Sequence, residues 1–408
     1  MGFRAGTLVL LSIAILLVVG ITAAVLISPS VAGAAVWRAT ITPLASIIGS
    51  GFLVLGPILD KSYGSYAPLA MAGLCLCAYL FGAAIRFNIA VIDGATPGRG
   101  RIETALETLA SWSLAFAYVI SVAYYLNLFG AFAVSLTAHE GTTYAKLVTT
   151  AVYVLILAVG WTRGFKMLER LEYGSVTTKL AIISGLLLGL ALFFGATAID
   201  GHLITLPAGQ TGWSSITLAF GLLITVQGFE TSRYLGRHYD ANLRIRSMRL
   251  AQAVTTAIYM VYITLLVFSI DISGQKLSET AIIAMMHDVA PILPALLIVA
   301  ALSAQFSAAI ADTGGAGGLV AELTQNTITA RQGYAFLVAS GLVMTWSSDV
   351  FQIINSASRA FALYYALQAL IAAAAAYRMS GRRLSSYLFL LLAMLGLAIA
   401  IFGQPVGA

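Results

Sequence analysis

Ile47-Ile48-Gly49-Ser50-Gly51-Phe52, followed by Gly56-Pro57, interrupts an apolar run at 40–59 that is otherwise suited to crossing a lipid bilayer. Without a Cβ on Gly49 or Gly51, the chain can leave helical geometry and present free N–H groups to a solute. The helix that restarts there offers an anionic group its positive end. Close helix packing through small residues is the other use of such a stretch. A second interruption, Thr225-Val226-Gln227-Gly228-Phe229-Glu230, lies in the apolar run at 214–232, with Gly228 standing 179 residues after Gly49. Two interrupted segments at matching positions point to an inverted-repeat transporter, whose solute site lies where the repeats meet.

The composition around these stretches agrees. With 60% hydrophobic and 9% charged residues in 408 positions, the chain lacks the polar surface of a water-soluble globule. Long apolar runs recur near 7–27, 40–59, 65–86, 104–137, 145–161, 175–196, 214–232, 248–270, 289–321, 333–347, 350–377 and 384–403. In lipid such runs have to be helices, because their backbone groups find no water to bond. The spacing predicts an all-α integral membrane protein of about twelve transmembrane helices. Its two halves, 40–196 and 214–377, form an inverted-repeat core of five helices each, with one extra helix before and one after. The corresponding division is 1–36 for the first helix and loop, 37–200 and 201–378 for the repeats, and 379–408 for the last helix. Cys75 and Cys77 share one apolar run and read as small core residues.

Twenty-two Lys and Arg against sixteen Asp and Glu give a net charge of +6, which would suit nucleic acid if the charges formed a patch. They sit instead in alternate loops. One set holds Arg86, Arg99 and Arg101; Arg163, Lys166 and Arg170; Arg233, Arg237, Arg244, Arg246 and Arg249; Arg331; and Arg378, Arg382 and Arg383. The opposite loops hold Lys61, Lys146 and Lys276, with Arg4 at the amino terminus. Such bias orients membrane proteins, placing the arginine-rich loops in the cytoplasm and both termini outside, in a cell inner membrane or plasma membrane. No nucleic-acid partner is expected. The run from Arg233 to Arg249, with His238 and Asp240, reads as a solvated cytoplasmic face.

Among the apolar runs, Glu230 is an ionisable group at membrane depth, either a site of protonation during a cycle or a staple bonding the interrupted backbone. Arg359 sits about nine residues into its run, where it would line an external vestibule and pair with Asp60 or Asp349 as a gate. The chain has no nucleotide-binding Gly-Lys-Ser/Thr motif and no zinc-ligand spacing. It is therefore read as a non-enzyme without cofactor or metal.

These residues resemble the amino acid/polyamine/organocation permease superfamily over approximately 40–403. The resemblance rests on Ile48-Gly49-Ser50-Gly51-Phe52-Leu53-Val54-Leu55-Gly56-Pro57 and on Gly228-Phe229-Glu230. Gly164-Phe165-Lys166, leading through Leu171-Glu172 to Lys179, adds to it. It implies a five-plus-five inverted-repeat fold working by alternating access. Backbone groups near Gly49-Ser50-Gly51 would cradle a substrate carboxylate, and carbonyls near Gln227-Gly228 would receive an amine. The third core helix, carrying Trp112, Tyr118, Tyr124, Tyr125 and Asn127, would line the pathway. Tyr124 and Tyr125 diverge by about 100°, so at most one of them faces the cavity squarely. Lys179, with Asp312 nearby, would occupy the place of sodium in sodium-coupled relatives and pass coupling to a proton. The alternative is that Lys179 snorkels to headgroups while Asp312 caps a turn at Gly314-Gly315-Ala316-Gly317-Gly318. The chain departs from the family pattern by its additional first helix and by Gln227, where small or aromatic residues are frequent.

The expected function is a proton-coupled permease for a small organic solute such as an amino acid or amine, embedded in the lipid bilayer. Two other functions fit the same features. A cation or metal-ion transporter or channel would use Asp312, Thr313 and Glu230 as hard oxygen ligands. A non-transporting membrane sensor would keep the fold and lose turnover.

Overall fold

A computed structural model describes residues 5–49, 51–92, 100–135, 137, 141–162, 166–237, 239–272, 277–379 and 381–407. Arg4, Ser50, Arg99, Arg163, Gly164, Phe165, His238 and Lys276 lie outside these, as do the side chains of Lys166, Arg170, Leu171, Glu172 and Arg237.

Helices account for nearly all of the described chain. First come α1 (Ala5–Ile27), the short α2 (Pro29–Ala32), α3 (Ala35–Ile47), α4 (Gly51–Tyr63) and α5 (Ala67–Ile92). Three long helices follow, α6 (Arg101–Val134), α7 (Thr142–Thr162) and α8 (Lys166–Ile199). Then α9 (Gly212–Gly221) gives way to two 3-10 stretches, Leu223–Val226 and Phe229–Arg237. The remainder is α10 (Ala241–Val267), α11 (Ala281–Val289), α12 (Leu293–Leu323), α13 (Ala330–Ser347), α14 (Val350–Arg378) and α15 (Arg383–Phe402). Among the described residues, nine helical stretches are long and apolar enough to cross a membrane. The protein is all-α and multi-pass. Helix α11 was not foreseen as an element; its nine residues are too short to cross a bilayer and precede α12 as a separate step.

Burial sorts these helices into centre and rim. In the most apolar window of α6, 89% of residues are buried, and in that of α14, 78%. The corresponding share is 11% for α1 and 28% for α15. Leu10, Leu17 and Ile21 on α1, and Leu384, Leu388 and Leu391 on α15, are exposed apolar side chains that only a lipid surround makes inexpensive. The outer helix α1 lies against α8 through small residues: a Cβ on Gly185 would stand 2.7 Å from Val19, and Thr22 and Ser184 share a hydroxyl contact of 2.9 Å.

The glycine run in α12 corrects one expectation. The helix continues unbroken through Gly314-Gly315-Ala316-Gly317-Gly318, with no turn for Asp312 to cap. Here glycine serves close approach. A Cβ on Gly315 would lie 3.0 Å from the Tyr118 ring, and one on Gly317 would lie 2.2 Å from Tyr334. Cys75 is buried and Cys77 partly so; both are free thiols in α5.

The contact of α6 with α7 supplies a test of this packing. A Cβ on Gly130 would fall 2.3 Å from the backbone oxygen of Ala145, whereas one on Gly73 would meet nothing within 4 Å. Gly130→Ala is expected to cost about 1–3 kcal/mol through overpacking, and Gly73→Ala to be neutral or slightly stabilising. Thermal unfolding of the two variants in detergent checks this; equal melting temperatures would count against the close contact.

Candidate functional site

The two interruptions meet. Helix α3 stops at Ile47, Ile48 departs from helical geometry with φ −83° and ψ 61°, and α4 begins at Gly51. In the other half, Gln227 is extended at φ −81° and ψ 172°, and Gly228 has φ +116°, a conformation closed to most L-residues. A Cβ on Gly51 would lie 2.8 Å from Thr225 Cα, and one on Gly228 would lie 2.6 Å from the carbonyl carbon of Ser46. Both glycines are thus required where the backbones cross. The Tyr259 hydroxyl of α10 lies 2.7 Å from the Thr225 carbonyl and 3.2 Å from that of Ile47, touching both segments.

Side chains from α8, α14 and the second interruption itself also satisfy the opened backbone. Lys179 of α8, buried at 2% exposure, donates from Nζ to the Ala45 carbonyl at 2.6 Å. That carbonyl is in the last turn of α3, so the ammonium sits at the negative end of the helix dipole. Ser358 of α14 donates to the Gly221 carbonyl at 2.7 Å and accepts from Ile224 N at 2.9 Å, closing the end of α9. Glu230 is fully buried, and its Oε2 accepts from Gly228 N at 2.9 Å and from Tyr365 Oη at 2.8 Å. A carboxylate at the start of the 229–237 stretch mirrors the lysine at the end of α3. Of the two readings of Glu230, the staple geometry is present.

Around the second interruption stands an aromatic and acidic wall. Tyr125 of α6 accepts a hydrogen bond from Gln227 Nε2 at 2.9 Å, and its ring edge passes 3.8 Å from where a Cβ on Gly49 would be. Tyr124, its ring centroid 5.2 Å from that of Tyr125, lies within electrostatic range of Tyr259 of α10, and of this pair Tyr125 is the one seen to reach both interruptions. Asp312 of α12 accepts a short hydrogen bond from Ser121 of α6 and lies within electrostatic range of Glu230, Tyr118 and Tyr125. Phe229 stacks on Tyr365 at 5.0 Å. Gln227 Oε1 and Glu230 Oε1 are buried acceptors with no hydrogen-bond partner among the described residues. Chemically, this wall suits a donor-rich cation, which would bond the free oxygens and lie against the aromatic faces.

Several expected roles fall elsewhere. Lys179 reaches Ala45 at the first interruption, and Asp312 bonds Ser121 and lies within electrostatic range of Glu230. The burial of Lys179 also leaves no path for snorkelling. The Arg359 gate is not formed. Arg359 is exposed and donates from Nε to the Ala400 carbonyl at 2.6 Å, where a cation complements the C-terminal end of α15. Asp60 is buried beside Tyr262 and Asp271, with neither carboxylate oxygen bonded among the described residues. Asp349 caps its own helix by accepting from Gln352 N at 2.9 Å. Trp112 is exposed on the outside of α6, and Asn127 ties α6 to Thr345 of α13 at 2.8 Å.

The basic run after Glu230 is not a solvated face throughout. Arg233 and Arg244 are 7% and 5% exposed. Arg233 grips Glu107 of α6 through two contacts of 2.6 and 2.7 Å and makes a short bond to Gln368 of α14. Asn88 of α5 donates to the same Gln368 oxygen at 2.9 Å, and Arg244 of α10 holds the Arg233 carbonyl at 2.9 Å. Nearby, Arg378 of α14 holds both oxygens of Glu103 of α6 at 2.6 and 2.7 Å. These acidic partners lie up to 275 residues away in sequence, which is why charge bias alone suggested solvation.

Ser358, absent from the sequence reading because a serine in an apolar run carries no distinct signal, gives the sharpest test. Ser358→Ala should leave Ile224 N and the Gly221 carbonyl buried and unbonded, costing about 1–3 kcal/mol for each orphaned group. Hydrogen exchange at 223–228 should accelerate, while Ser356→Ala, which loses a bond only at the exposed face of the same helix, should not change it. Unchanged exchange in both variants would remove Ser358 from the closure of α9.

A family model described as APC superfamily transporter matches residues 29–403. An uncharacterized protein of Aquifex aeolicus (strain VF5) is 38% identical over 388 residues, 93% of this chain and 94% of that protein. With the match running from α2 through α15, the chain belongs to the APC superfamily of membrane transporters.

Proposed function

We propose that the protein is a proton-coupled secondary transporter of a small solute bearing an ammonium group, such as an amino acid or amine, working by alternating access. The observation that carries this reading is the pair of buried, unbonded acceptors Gln227 Oε1 and Glu230 Oε1, three residues apart at the second interruption. An ammonium supplies the donors they lack. The solute's carboxylate, where it has one, is assigned to Gly49, Ser50 and Gly51 at the positive end of α4, and Tyr125 closes over both interruptions with Gln227 and Gly228.

The chain is proposed to cross the membrane twelve times. The nine stretches above become twelve when Gly51–Val91 is split so that α3 with α4 is one crossing and α5 another, and when α9 with its 3-10 continuation and α13 are added. Two five-helix repeats at 37–200 and 201–378, flanked by 1–36 and 379–408, account for the matched interruptions. Both termini then lie outside the cytoplasm by the loop charges.

Coupling is assigned to three residues in two places. Glu230 and Asp312 carry the transported proton beside the solute, and Lys179 holds α3 by its charge on the Ala45 carbonyl. Loss of the lysine's proton would release the first interruption. The Arg233–Glu107 contact closes the arginine-rich end while the site is occluded.

Two measurements test these assignments. In proteoliposomes with an imposed pH gradient and no sodium, wild type should accumulate solute, and Lys179→Ala should lose accumulation; a sodium requirement, or normal proton-driven accumulation by the alanine variant, would overturn the coupling assignment. Glu107→Gln, which leaves Arg233 without its ionic partner, should raise maleimide labelling of a Ser232→Cys reporter, a fully buried position in the same stretch, at least about tenfold. An unchanged labelling rate would sink the gate.

A further inference from the structure

Away from the interruptions, α6, α14 and α15 enclose a crevice of about 570 Å³ at the arginine-rich end. Its walls are apolar, formed by Leu106, Leu370, Ala374 and Leu390, and its mouth carries Arg101 and Arg378. Arg382 and Arg383 stand one turn before Ser386, which also lines the crevice, and all three of Arg101, Arg382 and Arg383 are exposed. The acidic group at the mouth, Glu103, has both oxygens bonded by Arg378 and is 3% exposed, so it does not neutralise the other arginines.

Depth distinguishes the two ends of the crevice. Leu370 lies eight residues before Arg378, and Leu390 seven after Arg383, so the walls descend roughly 11–12 Å along the two helices from the charged mouth. A soluble partner does not reach that depth, and a free small anion gains nothing from apolar walls. A molecule with a negative head and a hydrocarbon tail matches both ends at once.

We propose that this crevice binds an anionic glycerophospholipid from the leaflet on the arginine-rich side, its phosphate held by Arg101, Arg382 and Arg383 and one acyl chain lying between α14 and α15. The bound lipid braces the mouth where Arg378 of α14 meets Glu103 of α6. This assignment is independent of the solute and of the coupling ion.

The test is native mass spectrometry of the full chain released from detergent, titrated with phosphatidylglycerol and with phosphatidylethanolamine of the same acyl chains. Phosphatidylglycerol should be retained at least about tenfold better. The double variant Arg101→Gln/Arg383→Gln should weaken it by about thirtyfold, the factor for two interfacial arginines, and leave phosphatidylethanolamine unchanged. Ala374→Trp, which fills the crevice from its wall and keeps every arginine, should displace phosphatidylglycerol as well. Equal retention of the two lipids, undiminished phosphatidylglycerol binding in both variants, or equally tight binding of glycerol phosphate alone would overturn the proposal.

Discussion

The crossing of two opened backbones is the constraint on which the rest of the structure depends. At Gly51 and Gly228 the segments come so close that a single added carbon would meet main-chain atoms at under 3 Å. Here the approach is made where both helices stop, and a helix that stops at membrane depth leaves N–H and carbonyl groups that no water can satisfy. Each costs several kcal/mol if left alone. Lys179 on Ala45, Ser358 on Gly221 and Ile224, Glu230 on Gly228 and Tyr259 on Thr225 meet that demand. Thus α8, α14 and α10 are fixed to the crossing by the backbone groups that the glycines exposed.

The signs of the charges follow from the same geometry. A helix ending at the crossing presents partial negative charge, and a helix starting there presents partial positive charge. The buried lysine is found at the first kind of end and the buried glutamate at the second. Each is stabilised by the helix end it touches. Lys179 thus bonds the end of α3 and Asp312 bonds Ser121 of α6, although their positions along the two helices suggested a pair.

How much of this was legible in the sequence depends on whether the signal was local. Gly49, Gly51 and Gly228 were readable because glycine in an apolar run, beside polar residues, has few uses at membrane depth. The run at 314–318 shows the limit of that rule: glycines directly after Asp312 and Thr313 left α12 continuous and brought Tyr118 and Tyr334 close. Arg359 was placed by its depth along one helix, yet its partner is the Ala400 carbonyl, 41 residues on and in another helix. Asp349 had a local alternative, a capping box with Gln352, that the gate reading passed over. Glu107 and Gln368 carried no signal at all until folding brought them to Arg233.

Those distant pairs decide how firmly one end of the protein is held. The Arg378–Glu103 contact is partly exposed on its arginine side, at 43%, and contacts open to solvent contribute about 1 kcal/mol or less. Arg233–Glu107 is more enclosed, at 5% and 19% exposure, so separating its partners without replacement costs more. The desolvation penalty already met by that pair, however, offsets much of its attraction. The net hold on the arginine-rich end is therefore a few kcal/mol, comparable with the gap between interconverting states of one protein. The glycine crossing offers no such partial release, since its contacts are main-chain and steric. The proposed alternating access would use this division: ion pairs at the arginine-rich end of small net strength, and a crossing held by main-chain and steric contacts.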